Sequence, residues 1–178
     1  MRTTEIRKWI EEGGSLPEGL TKEEKEYLEE LGWKASESWF GNGQRLYVRN
    51  YLNGQNHGKW ESWYENGQIG YVESWLRGQK HGKQEGWFEN GQIEYVHNWL
   101  RGQKHGKQEG WHKNGQRRYV HNYLNGQKHG KQEGWYKNGQ KHYEKSFVHG
   151  MKHSTKKEWN SNGDLLLHEE YYYGNKIG

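Results

Sequence analysis

Tryptophan recurs at Trp39, Trp63, Trp87, Trp111, Trp135 and Trp159, every 24 residues without a slip, and this period limits what the chain can fold into. Asn-Gly pairs keep the same interval from Asn42-Gly43 to Asn162-Gly163, as do Gly54, Gly78, Gly102, Gly126, Gly150 and Gly174. The stretch QKHGKQEGW occurs unchanged from Gln79, Gln103 and Gln127. A fixed period of this size means stacked supersecondary units, each too small to bury a face alone. Six units fill 35–178 (35–58, 59–82, 83–106, 107–130, 131–154 and 155–178), and residues 1–34 lie outside the repeat.

Each unit reads as a β-hairpin. In Lys83–Gly106, KQEGWFE is one strand, Asn90-Gly91 is a strong hairpin turn signal, QIEYVHNWL is the return strand, and RGQKHG leads into the next unit. A two-residue loop at Asn90-Gly91 pairs Glu89 with Gln92, Phe88 with Ile93, Gly86 with Tyr95, Gln84 with His97 and Gly82 with Trp99. Glycines then face aromatic rings, and a ring can fold over the backbone that a glycine exposes. The other face carries Trp87, Glu94, Glu85, Val96 and Leu100. A three-residue loop with a bulge would instead slip the pairing and exchange the faces.

The chain is only 29% hydrophobic but 15% aromatic, with 11 Trp and 13 Tyr. Aliphatics are too few for a two-layer core, whereas each aromatic ring buries a large area. The expected fold is mainly β: an elongated single-sheet array of six antiparallel β-hairpins, about twelve strands and roughly 55–60 Å long. An aromatic ladder holds it together: the six tryptophans above, Tyr47, Tyr71, Tyr95, Tyr119 and Tyr143, and Tyr51, Trp75, Trp99, Tyr123, Phe147 and Tyr171. The first 34 residues form a short α-helical N-terminal cap. One helix presents Ile6, Trp9 and Ile10 and stops at Gly13-Gly14. A second starts at a Thr21/Glu24 capping box, turns Tyr27, Leu28 and Leu31 inward, and ends at Gly32.

The chain has no cysteine, which excludes disulfides, thiolate metal sites and thiol catalysis. It shows no membrane-length apolar run and no secretory h-region in MRTTEIRKWIEEGG, so a cytoplasmic location is expected, in a host cytoplasm or virion if the source is viral. Residues 1–34 hold six Lys/Arg against nine Glu, whereas the repeats hold 21 basic against 14 acidic residues and all 11 His.

The strand-turn GWYKNGQ at Gly134–Gln140 and the turn NGQKHGK at Asn125–Lys131 resemble the MORN repeat, in the variant found in antitoxin-like proteins of the YwqK type. Similar arrays are frequent in bacteria and in giant DNA viruses of amoebae. The resemblance covers Ala35–Gly178 and implies a scaffold, a dimerisation module or a membrane-associated adaptor, and for the YwqK type the neutralisation of a toxin. The helical cap inherits nothing from it.

The chemistry points to binding. His57, His81, His105, His129 and His153 recur in the turns, but equivalent residues stand about 9–10 Å apart, too far to share a zinc ion. No metal, cofactor or catalytic residue is expected, because no nucleophile and base recur together. Lys80, Lys83, Lys104, Lys107, Lys128 and Lys131 flank the inter-repeat turns as a basic ridge, a candidate ligand site beside aromatic rows. Leu165, Leu167, Tyr171 and Tyr173 make the last unit apolar, a candidate self-association edge for a homodimer. The leading reading is a non-enzymatic scaffold with a protein partner. The alternative is a binder of anionic surfaces, single-stranded nucleic acid or phospholipid headgroups, through the ridge and aromatic rows.

Overall fold

The computed structural model describes residues 3–178. Two helices, α1 (Thr3–Glu12) and α2 (Lys22–Glu30), precede the strands. These are β1 (Trp33–Trp39), β2 (Arg45–Leu52), β3 (Gln55–Asn56), β4 (Gly58–Trp63), β5 (Ile69–Leu76), β6 (Gln79–Lys80) and β7 (Gly82–Trp87). They continue as β8 (Ile93–Leu100), β9 (Gln103–Trp111), β10 (Arg117–Leu124), β11 (Gln127–Trp135), β12 (Lys141–Val148), β13 (Met151–Trp159), β14 (Leu165–Tyr172) and β15 (Asn175–Lys176). All fifteen belong to one antiparallel sheet in which neighbours follow chain order. The excess over twelve comes from three two-residue pieces: β3 and β6 are split from β4 and β7 where β9, β11 and β13 run unbroken, and β15 follows the last turn. The chain divides into two compact units, one reaching Gly91 and one from Gln92 to Gly178. No described helix is long and apolar enough to cross a membrane.

The hairpin loop has three residues, not two. Gly139 N–H donates to Tyr136 O at 3.0 Å and Tyr136 N–H to Gln140 O at 2.9 Å, which leaves Lys137, Asn138 and Gly139 as the loop. Gly139 takes φ +84°, a left-handed conformation that costs glycine little. In the hairpin read from the sequence, Gly91 N–H donates to Phe88 O at 2.8 Å, so Glu89 lies in the loop and does not face Gln92. The slip that a three-residue loop implies is nonetheless cancelled. Trp135 pairs with Lys141 but Gly134 pairs with Tyr143, so His142 is one extra residue in β12. The same shift occurs between Ser62 and Trp63 in β4. Loop and bulge each add one residue, on opposite strands of the hairpin, and the expected Gly–Tyr pairing survives.

The pairing matters because the rings lie on the glycines. A Cβ at Gly134 would overlap the Tyr143 ring, and one at Gly110 the Tyr119 ring. The second pair of glycines differs from expectation. Gly106 does face Tyr123, but a Cβ there would meet nothing within 4 Å. Its φ of +69° is the reason for glycine at that turn.

Side chains that recur every 24 residues bond to neighbouring repeats. Asn42, Asn66, Asn114 and Asn138 each donate Nδ2–H to a loop carbonyl 23 residues on (Glu65, Glu89, Lys137 and Ser161). Tyr64 and Tyr136 donate their hydroxyls to Trp87 O and Trp159 O, again 23 residues on. His57, His105, His129 and His153 accept at Nδ1 from the backbone N–H 20 residues on, each at 3.4 Å. Gln84, Gln108 and Gln132 are buried and donate Nε2–H to the carbonyls of Ser74, Asn98 and Asn122 at 2.8 Å. Trp60 holds the same place in its repeat and donates Nε1–H to Asn50 O at 2.8 Å.

Among the described residues, a conventional core is found in the cap. Ile6, Trp9 and Leu28 are buried, with Ile10, Leu16, Leu20, Trp33 and Leu52 packed around them. The Thr21/Glu24 capping box forms. Tyr27, expected to turn inward, is exposed, and Glu24 is buried in its stead because the box holds it. The cap docks on the first repeat through buried His57, whose Nε2–H donates to Trp9 O at 2.8 Å.

The ring-on-glycine contact is tested by thermal unfolding. Gly134→Ala should lose on the order of 2 kcal/mol through overpacking. Gly41→Ala, with nothing within 4 Å of its added methyl, should change stability by less than about 0.5 kcal/mol. Equal effects would remove the ring-on-glycine account.

Candidate functional site

Alternation along each strand sorts the side chains onto two faces. One carries the Tyr119 row with the residues two and four positions on, His121 and Tyr123. The other carries Val120 and the glutamates opposite it, Glu109 and Glu133.

The glutamate face is neutralised within the molecule. Lys83 pairs with Glu85 at 2.7 Å, Lys107 with Glu109 at 2.8 Å, and Lys131 with Glu133 and Glu144 at 3.0 Å each. Lys141 joins Glu133 and Glu144 and stands over the Trp135 ring, as Arg117 does. Burial penalises Glu133 and Glu144, yet their bonds to Lys141 and Lys131 prevail and hold both carboxyls below the usual range.

The aromatic face is built differently. In the unit from Gln92, Tyr95, His97, Tyr119, His121 and Tyr143 stack in sequence, with centroids 4.7, 6.2, 4.8 and 6.1 Å apart. His97 Nε2 bonds to the Tyr119 hydroxyl at 2.7 Å and His121 Nε2 to that of Tyr143 at 2.6 Å. Beside this stack, lysines alternate with rings. Lys104 lies 5.9 Å from the Trp99 centroid and 5.4 Å from that of Tyr123. Lys128 lies 5.4 Å from Phe147 and Lys152 4.7 Å from Tyr171. No described carboxylate forms an ion pair with Lys104, Lys128 or Lys152.

The preceding unit treats the equivalent lysine otherwise. Lys80 lies over Trp75 but also pairs with Glu73 at 2.7 Å, and Glu73 accepts from Trp75 Nε1–H. The places 24, 48 and 72 residues beyond Glu73 hold His97, His121 and Lys145. The internal carboxylate is therefore absent beside Lys104 and Lys128, while Lys152 bonds to the Tyr171 hydroxyl at 3.4 Å, which in turn donates to Glu169. Burial, then the charges of Lys128, Lys104 and Lys145, push His121 down to about 4. Burial also raises the hydroxyls of Tyr119, Tyr123 and Tyr143.

The six ridge lysines thus divide. Lys83, Lys107 and Lys131 sit with the glutamates, while Lys80, Lys104 and Lys128 sit among the rings. The recurrent aromatics divide likewise: Trp135 belongs to the glutamate face, and Tyr95, Tyr119 and Tyr143 with Trp99, Tyr123 and Phe147 to the other. Among the terminal residues, Leu165 (52%) and Tyr173 (46%) are exposed, whereas Leu167 and Tyr171 are half-buried. The Tyr171 hydroxyl donates to Glu169, whose carboxyl is pulled down to about 2 by bonds from Lys176, Lys156 and Tyr171. No described cluster of His, Asp and Glu could hold a metal ion. The Glu73–His97–His121–Lys145 series and the buried glutamines are absent from the sequence reading. Superposing the six repeats and asking where near-identical units differ would have found the first.

An NMR titration of the imidazoles tests the field on this face. His121 should titrate near about 4. Because its folded pKa is depressed, its contribution to stability is full above about 6.5 and is lost as pH falls toward the folded value, on the order of 1 kcal/mol by pH 5 for a half-buried ring. An ordinary His121 pKa would show that neither burial nor the lysine charges act on the ring as the geometry implies.

A family model described as a MORN repeat variant matches residues 56–71, 80–100, 104–125 and 128–149. No curated protein matches the chain. The four matched segments follow one another in phase with the 24-residue hairpins. The chain is a MORN-repeat protein.

Proposed function

We propose that the protein is a non-enzymatic scaffold that binds another protein through the aromatic–lysine face of residues 92–178. The observation that supports this most is the asymmetry of the two faces. The glutamate face satisfies its own charges, whereas the aromatic face sets Lys104 and Lys128 among rings with no ion-paired carboxylate, and Lys152 reaches Glu169 only through the Tyr171 hydroxyl. Half-buried aromatic side chains with a polar tip are what interface centres are enriched in, and lysines at the edge of such a patch select a partner by its charge. Toxin neutralisation would be one case of such binding. Self-association through exposed Leu165 and Tyr173 would add a second contact of the same kind.

The same unpaired lysines favour a second reading, attachment to a phosphate-rich surface. Salt separates the two. Phosphate contacts weaken steeply and log-linearly with added salt, and an interface dominated by aromatic burial does not.

The face assignment is tested with a photo-crosslinking amino acid in place of Tyr123 on the aromatic face or Glu109 on the other, in cells of the natural host. A protein adduct from position 123 and none from 109 is expected. Adducts from 109 alone, or only nucleic-acid or lipid adducts from 123, would overturn the proposal.

A further inference from the structure

The lysines of the aromatic face are spaced, and the spacing describes a ligand. Lys104, Lys128 and Lys152 lie at equivalent places on β9, β11 and β13, two strands apart. Neighbouring ammonium groups in this row are therefore about 9.6 Å apart, across the strands. Each is steadied by a ring, with Lys104 between Trp99 and Tyr123, so the row is partly preorganised. The repeat before it shows what the arrangement accepts. There Lys80 takes a carboxylate, Glu73, at 2.7 Å while staying over the Trp75 ring. The protein thus contains one example of a carboxylate on this lysine–ring pair and three pairs with no carboxylate in ion-pair contact, the last of which bonds through Lys152 to the Tyr171 hydroxyl at 3.4 Å.

We infer that Lys104, Lys128 and Lys152 form a three-site receptor for an acidic α-helix laid across the strands, one carboxylate to each lysine. Seven residues of α-helix rise about 10.5 Å, so Asp or Glu at every seventh position meets the row with about 2 Å of accumulated mismatch over three sites. Flexible lysine and glutamate stems absorb that difference. Stacked nucleobases fit less well. Base platforms offer open ring faces, and here ammonium groups occupy the approach to Tyr123, Phe147 and Tyr171. The inference rests on the scaffold reading and names the chemistry of the partner.

The experiment uses the full chain and two synthetic helical peptides of about 22 residues with identical composition. One carries three Glu at seven-residue intervals, and the other carries them consecutively. Binding is followed by NMR shifts at Tyr123, Phe147 and His121. The spaced peptide should bind at least about 10-fold more tightly. It should raise the His121 pKa by offsetting the neighbouring ammonium charges. The triple variant Lys104→Gln, Lys128→Gln, Lys152→Gln should lose this binding. Lys83→Gln, Lys107→Gln, Lys131→Gln should keep it, with unfolding curves confirming that both variants fold.

Equal binding of the two peptides, or equal loss in both variants, would overturn the inference. So would an oligo-dT strand or anionic phosphatidylserine vesicles that outcompete the spaced peptide at the same lysines. Failure of the peptide alongside a protein adduct at position 123 would remove the acidic-helix ligand and leave the scaffold standing. Failure of both would remove the two together.

Discussion

A sheet with no second layer cannot draw its cohesion from a shared apolar core, and this protein replaces that core with side-chain bonds between repeats. Among the described residues the repeats contribute one buried aliphatic side chain, Val120. Cohesion comes from elements that each repeat extends to the next: an Asn amide to a loop carbonyl, a Tyr hydroxyl to the carbonyl behind a Trp, a His Nδ1 under a turn N–H. Tyr rings laid on glycines bury what remains of the backbone. Each bond is worth about 1 kcal/mol net, and a nearest-neighbour sum over repeats turns that into a stable array. Near-identity of the units follows, since nearly every residue of a unit answers to one in its neighbour.

The same economy divides the two faces into different roles. Lysine and glutamate alternate on one face and pair with each other. The other face collects rings and lysines; Lys104 and Lys128 have imidazole where Lys80 has its carboxylate, whereas Lys145, Lys156 and Lys176 pair with Glu158 and Glu169. The change is small in sequence, Glu73 against His97 and His121. In electrostatic terms it removes one negative charge per repeat from beside an ammonium group. The imidazoles of His97 and His121 fill the space, and burial with the neighbouring lysine charges lowers the His121 pKa rather than restoring a counter-charge.

The period, the hairpins, the helical cap with its capping box and the Gly–Tyr pairing were legible because each rests on local chemistry repeated in phase. The loop was not. Lys137-Asn138-Gly139 and Asn138-Gly139 alone both satisfy the turn signal, and only the bulge at His142 decides how pairing resumes. Tyr27 was misplaced because helical spacing alone cannot tell which side of a short acidic helix meets the sheet. The lysine ridge was read as one edge, since a strand pattern assigns Lys80 and Lys83 without knowledge of the turn between them. The structure divides the ridge because the chain turns at Gly82, whose φ is +76°.

Inter-repeat bonds within each unit run from a residue to one 20 or 23 places on, so the same contact recurs from repeat to repeat. A unit inserted or removed whole creates no new interface to be solved, while a partial insertion breaks several bonds at once. The chain can therefore change length only in whole steps, like links in a chain drive. Four successive repeats hold a lysine over a ring at the same place, Lys80, Lys104, Lys128 and Lys152. Under the proposed binding, copy number would set its strength, because linked sites multiply their effect through local concentration.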